Sequence, residues 1–217
     1  MLIRYVIMKL QLNRYFACLL FGLLCLLACT EMDKDGDTYI PDLVSNMAMV
    51  SVNTEGLVTT LALDDGSIYD VRSQKLTTES CDTVVRCMVT YVPNESKAEV
   101  YSLGNVFCTQ PLPASAFSLI ADGSNIDLPR DPMKVVSVWR SGGYVNLHLG
   151  VLTTGKGMHK YAFCEDSLGH YSLLHLRPAD DAESYTMHVY FSMPVPEGVD
   201  SLSFSVYTYD GIYTRTL

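Results

Sequence analysis

What most constrains the fold of this chain is a cadence. From about position 45 to the C-terminus, short runs of β-branched and aromatic residues alternate with polar ones. They break at Gly, Asp, Asn and Pro at short intervals. Nowhere in that stretch do apolar residues recur at the spacing of an amphipathic helix. A chain of this pattern is expected to be all-β. The dinucleotide and phosphate folds need helices and are therefore excluded.

The first half predicts strands at 45–53, 57–63 and 67–71. The turn Asn53-Thr54-Glu55-Gly56 separates the first two, and Asp64-Asp65-Gly66 is a hairpin signal between the next two. A polar connector at 72–82 follows. Two more strands, 83–92 and 98–107, flank Pro93-Asn94-Glu95-Ser96. Three meandering strands, a connector and a hairpin suit a small five-stranded barrel of OB type over residues 41–110. Pro111, Pro113, Gly123, Pro129 and Pro132 mark 111–132 as a linker. Beyond it, six strands are expected at 133–140, 144–152, 159–165, 171–177, 185–193 and 202–209. They predict an Ig-like antiparallel β-sandwich over 133–217.

The N-terminus carries an address. Lys9 and Arg14 precede an uncharged apolar run at 17–27, and Leu26-Leu27-Ala28-Cys29 closes it in the manner of a lipobox. The run is too short to span a hydrocarbon core, which needs about 20 helical residues. Residues 1–28 are expected to leave as a lipoprotein signal peptide, with Cys29 as the lipid attachment site. Residues 29–40 then form a lipidated acidic tether, whose Thr30 after the cysteine resembles an outer-membrane sorting signal. Its Asp33-x-Asp35-x-Asp37 resembles a calcium loop, but Thr38 stands where the loop needs Gly and Val44 where it needs a bidentate acid.

The chain has 24 acidic residues against 15 Lys and Arg, a net charge of −9. Loss of Arg4, Lys9 and Arg14 with the signal makes it more acidic by three charges. That balance excludes nucleic acid as a partner, because such binding rests on cations neutralising phosphates. Membrane contact is expected through the N-terminal lipid. The oligomeric state is left open.

Besides Cys29, four cysteines remain after the signal: Cys81, Cys87, Cys108 and Cys164. In an oxidising compartment they are able to pair. A hairpin turn centred between Asn94 and Glu95 would place Cys81 opposite Cys108, within bridging distance. A disulfide between them is one expectation, and free buried thiols are the other. Neither C-x-x-C nor any other zinc spacing is present, so no metal site and no cofactor are predicted.

Four further segments recur as landmarks along the mature chain. Tyr39-Ile40-Pro41-Asp42-Leu43-Val44 enters the first strand, and Leu63-Asp64-Asp65-Gly66 turns a hairpin. Val138-Trp139-Arg140-Ser141-Gly142-Gly143-Tyr144-Val145-Asn146-Leu147 forms another. Asp200-Ser201-Leu202-Ser203-Phe204-Ser205-Val206-Tyr207-Thr208-Tyr209-Asp210-Gly211 lies near the end. In this order and spacing, with the lipobox and acidic stretch, they resemble the NigD-like lipoproteins of Bacteroidetes. The resemblance implies an OB-like domain followed by a β-sandwich. It implies no catalytic residues.

The serine-nucleophile elbow, the zinc helix motif, the P-loop and the Rossmann fingerprint are absent. His148, His175 and His188 each lie between apolar strand neighbours. On neighbouring strands they would share an outer face and form a metal or pH-sensing site. Three unrelated surface histidines are the favoured expectation, since no fixed spacing ties them together. Trp139 is expected to anchor the core. The late tyrosines (Tyr144, Tyr161, Tyr171, Tyr185, Tyr190, Tyr207, Tyr209, Tyr213) are expected to reflect strand packing before any sugar or partner contact. The acids Glu165-Asp166 and Asp180-Asp181-x-Glu183 are expected to face water in turns. These features favour a non-enzymatic envelope lipoprotein that binds a protein or glycan. A bacteriocin-associated accessory or immunity lipoprotein is the alternative. An envelope-polymer hydrolase, which would need a carboxylate pair across a cleft, ranks last.

Overall fold

Alternation along the chain sorts itself onto two buried faces. The structure, a computed structural model, describes residues 42–72, 81–116 and 128–217. Cys29, the signal at 1–28 and the tether at 29–40 lie outside the described residues, as does 117–127 of the expected linker.

The strands are β1 (Val44–Val52), β2 (Val58–Leu63), β3 (Ile68–Val71), β4 (Thr83–Asn94), β5 (Lys97–Cys108), β6 (Leu112–Pro113) and β7 (Lys134–Ser141). They continue with β8 (Tyr144–Thr153), β9 (Lys160–Ser167), β10 (His170–Leu176), β11 (Tyr185–Pro194), β12 (Ser203–Thr208) and β13 (Gly211–Thr216). The protein is all-β, in two sheets. One has eight strands in the order β3-β2-β1-β4-β5-β11-β8-β7; the other has five, β13-β12-β10-β9-β6.

The first five strands also close on themselves. β3 pairs in parallel with β5 through Asp70 with Lys97 and Val71 with Ala98. The ring therefore runs β1-β2-β3-β5-β4 and back to β1. Its inward residues include Ala48, Val50, Leu61, Val89, Tyr91, Ala98 and Val100, which form one buried cluster. β5 then leaves the ring. Its last residues, Val106 to Cys108, run parallel to β11 beside Tyr190 to Ser192. One strand thus serves both halves, and Asp42–Leu217 is one compact unit.

The second half packs the β7-β8-β11 face of the large sheet onto the smaller sheet. Leu147, Leu149, Phe163, Leu173, Phe191 and Phe204 lie in its core with no exposed surface. Each such side chain contributes about 1.5–3 kcal/mol. The expectation of a wholly antiparallel sandwich needs correction. β10 pairs in parallel with β12, β6 with β9 and β5 with β11. The chain crosses between the sheets after β10 and returns after β11, so β12 reaches β10 from the same end. β6 and β13 are strands beyond the six expected.

The expected Cys81–Cys108 bridge also needs correction. The β4–β5 turn is Glu95-Ser96, between the facing pair Asn94 and Lys97, and a bulge between Thr90 and Tyr91 shifts the register once more. Glu95 takes a left-handed backbone, φ 54°, to make this two-residue turn. Carried along the strands, that register sets Val84 rather than Cys81 across from Cys108, and Cys108 instead lies beside Ser192. All four described cysteines are free. Burial pushes the Cys87 thiol up and the Cys164 thiol up to about 12, which leaves both unreactive.

Candidate functional site

Arg86 is the one charged residue in the run Val84-Val85-Arg86-Cys87-Met88-Val89, and its side chain is 1% exposed. It points from the outside of the barrel into the face of the sandwich. Nη1 and Nη2 donate to the two carboxylate oxygens of Asp64 at 2.7 and 2.8 Å, in the fork geometry that suits a guanidinium. Nη2 also donates to Asn146 Oδ1 at 2.9 Å and Nε to Ser192 Oγ at 3.0 Å. The guanidinium carbon lies 3.9 Å from the Tyr144 ring centre. Ser141 Oγ donates to Asp64 at 2.6 Å, Ser192 Oγ to Asn146 Oδ1 at 2.6 Å, and Asn146 Nδ2 to Ser141 Oγ at 3.0 Å.

Here the Leu63-Asp64-Asp65-Gly66 turn and the hairpin spanning 138–147 meet. Gly142 permits it: its φ is +56°, and a Cβ there would fall 2.4 Å from Asp64 Oδ1. Buried ions cost several kcal/mol of desolvation, offset only by good geometry and further hydrogen bonds. This network supplies both, and it leaves little of Arg86 to offer a ligand.

Beside it opens a cleft of about 440 Å³, lined among others by Asn46, Met47, Asp65, Met88 and Trp139. Trp139 is therefore not the expected core anchor. It faces Asn146 across β7–β8, on the outer side of the sheet, and is half-buried. Asp65 is exposed, and hydrogen bonds from Ser67 hold its carboxyl below the usual range.

A second polar cluster lies at the far end of β8 and β10. Asp181 is buried, contrary to the expectation that it faces water. Thr153 Oγ1, Thr154 N and Thr154 Oγ1 donate to it at 2.6, 2.7 and 2.5 Å. His159 Nε2 lies 2.7 Å from Asp181 Oδ2. Despite burial, these hydrogen bonds hold the carboxyl well below the usual carboxylate range. His159 Nδ1 lies 2.8 Å from His175 Nε2, and His175 Nδ1 lies 3.1 Å from the Asp131 carbonyl. Counting donors decides the protons. A carbonyl only accepts, so His175 Nδ1 donates and its Nε2 accepts. With that ring neutral, His159 Nδ1 donates to His175 Nε2. Desolvation holds the His175 pKa below its ordinary value, in keeping with the neutral ring. Tyr161 stacks on His175 at 5.1 Å, and its buried hydroxyl has no hydrogen-bond partner among the described residues.

Of the three histidines expected to be unrelated surface groups, two in fact come together, and the third, His175, is buried. His148 Nε2 and His188 Nδ1 are 2.8 Å apart on the outer face of β8 and β11. His148 stacks on Tyr190 at 4.4 Å, and burial, then His188, holds its pKa down. His175 lies elsewhere, with His159. His170 is exposed at the start of β10. Among the described residues no three or more His, Cys, Asp or Glu are grouped to hold a metal. Of the other acids in turns, Glu183 pairs with Arg177 at 2.7 Å and Asp166 accepts from Ser172 at 3.1 Å. Arg86, Ser192 and Asp131 carry no motif in the sequence. The one available signal was a lone arginine inside an apolar strand.

Neither a protein-family model nor a curated protein sequence matches this chain. Solved structures do. A NigD-like immunity protein from Bacteroides caccae is similar over 82% of this chain and 93% of its own, with TM-score 0.59 and 25% identity. In fold, the chain resembles that NigD-like protein. A toxin-related protein from Parabacteroides distasonis shares the fold at TM-score 0.62 and 17% identity, over 81% of this chain and 92% of its own. A protein from Bacteroides fragilis named as a lipoprotein does so at TM-score 0.51 and 9% identity, over 82% and 96%. The hairpin at Leu63-Asp64-Asp65-Gly66 and the one spanning 138–147 are the pieces that Arg86 clamps together. Their role here is to join the barrel to the sandwich.

Proposed function

We propose that this protein is a non-enzymatic, lipid-anchored protein of the outer membrane, facing the periplasm or the cell surface, and that it binds a protein or glycan in the cleft beside Trp139. The observation that supports this most is how the polar groups are spent. Arg86 is taken up by Asp64, Asn146 and Ser192, and Asp181 is held by Thr153, Thr154 and His159. By contrast, an aromatic face and an open carboxylate, Trp139 and Asp65, share an open cleft. A half-buried tryptophan next to hydrogen-bonding groups is able to stack on a sugar ring or grip a side chain. The ring β1-β2-β3-β5-β4 favours an OB-like barrel, and the second half an Ig-like sandwich, two architectures used for binding.

The anchor rests on Leu26-Leu27-Ala28-Cys29. Incorporation of labelled palmitate should vanish in Cys29→Ala; label that persists would remove the anchor. For binding, crosslinking in intact cells and a glycan array should give a partner that Trp139→Ala loses and Ile212→Ala, exposed elsewhere, keeps. Binding indifferent to Trp139→Ala would move the site, and an empty result in both assays would end the binding reading. The name of the Bacteroides caccae protein favours a second reading, a bacteriocin-associated immunity role. Unchanged bacteriocin sensitivity after deletion of the gene would dismiss it.

A further inference from the structure

His148 and His188 sit diagonally across β8 and β11. His148 faces Tyr190 and His188 faces Gly150, while Leu147 and Leu149 point the other way into the core. The two ring nitrogens are 2.8 Å apart, with ring centres 4.9 Å apart and planes inclined by 49°. Bound imidazole nitrogens lie about 2.0–2.1 Å from a first-row metal. Two of them at right angles are then about 2.8–3.0 Å apart, and two at the tetrahedral angle about 3.3–3.4 Å apart.

We infer that His148 Nε2 and His188 Nδ1 form a surface chelate for a divalent metal with right-angled ligands, copper(II) or nickel(II), whose remaining positions are filled by water or by donors of a bound partner. At present the nitrogens face each other across one shared proton. Metal entry moves that proton to the other nitrogen of the donor ring through solvent, so each ligating nitrogen presents a lone pair. His148 is braced by its stack on Tyr190, so the exposed His188 does most of the turning toward the ion. The pairing of β8 with β11 holds both rings on one face, so the two nitrogens lie within chelating reach of one ion.

The test titrates the purified mature protein, with Cys81→Ser to keep that exposed thiol out of the copper experiment, against nickel(II), zinc(II) and copper(II) chlorides. We expect saturable binding of one nickel(II) per chain, zinc bound no more tightly than nickel, and a copper(II) spin-resonance spectrum with two equatorial nitrogens. Even outer partners of metal ligands cost about 10–100-fold in affinity when removed. His188→Ala should therefore weaken nickel binding at least about tenfold, and His170→Ala should leave it unchanged. Equal nickel affinity in the wild type and His188→Ala, tighter zinc than nickel, or no stoichiometric binding would each overturn the inference.

Discussion

Tyr161 and His175 show how much single side chains decide here. The Tyr161 hydroxyl is buried and unpartnered among the described residues, and burial pushes its pKa up to about 12. A hydroxyl that leaves water without a partner costs about 1–3 kcal/mol. Tyr161→Phe should therefore raise stability by about 1 kcal/mol in denaturant unfolding while keeping the ring stack. His175 works in the other direction. Its folded-state pKa is depressed, so on acidification the unfolded chain takes up its proton first. The stability it contributes is full above about pH 6.5 and is lost as pH falls from there through the folded value. Thermal melts should show Tm falling between pH 7 and pH 5. In His175→Gln, Tm should start lower and fall less steeply over that range, because this ring no longer titrates. Neither residue's role was legible in the sequence. An imidazole between Leu174 and Leu176 reads as a surface group until the strand turns it inward. Arg86, whose motif-free position hid it, was found only when its strand was placed against the sandwich.

At the level of elements, alternation identified most of the strands and placed both hairpins that meet at the junction. What it missed were the quantities that alternation does not encode. The β4–β5 turn lies one position beyond the centre assigned from Pro93-Asn94-Glu95-Ser96, and the bulge at Thr90–Tyr91 adds a further shift. A bulge leaves no reliable composition, yet it changes every cross-strand partner beyond it. β6, two residues long, is too short for any pattern to register. The β7–β8 turn, in contrast, shows a glycine whose need is readable only from its neighbour. Gly142→Ala should lower stability by about 1–3 kcal/mol, since its left-handed φ and its approach to Asp64 oppose any Cβ. Gly66→Ala, at φ +90° with open space around it, shares the backbone strain without the contact and should cost less. Comparative urea unfolding of the two variants would separate the terms.

Across the whole molecule, β5 and the Arg86 network bind what the sequence divides into two domains. β5 gives one edge to β4 and the other to β11, and Arg86 ties β4 to Asp64, Asn146 and Ser192. The described unit should therefore unfold in one calorimetric transition, with barrel and sandwich probes coincident. Arg86→Met leaves Asp64, whose side chain is 14% exposed, without its cation. It should cost about 3–5 kcal/mol, and the calorimetric trace is expected to broaden or split as the halves decouple. The parallel contact of β3 with β5 has a different consequence. Four residues close the ring there, whereas β1 holds β4 along its full length. The barrel is a cylinder with a stitched side. Thermal opening will start at that stitch, laying bare the inner faces of Tyr69 and Val71 while the joint with the sandwich stays shut. Pressure, denaturant or a protease will find the protein's interior first along this line.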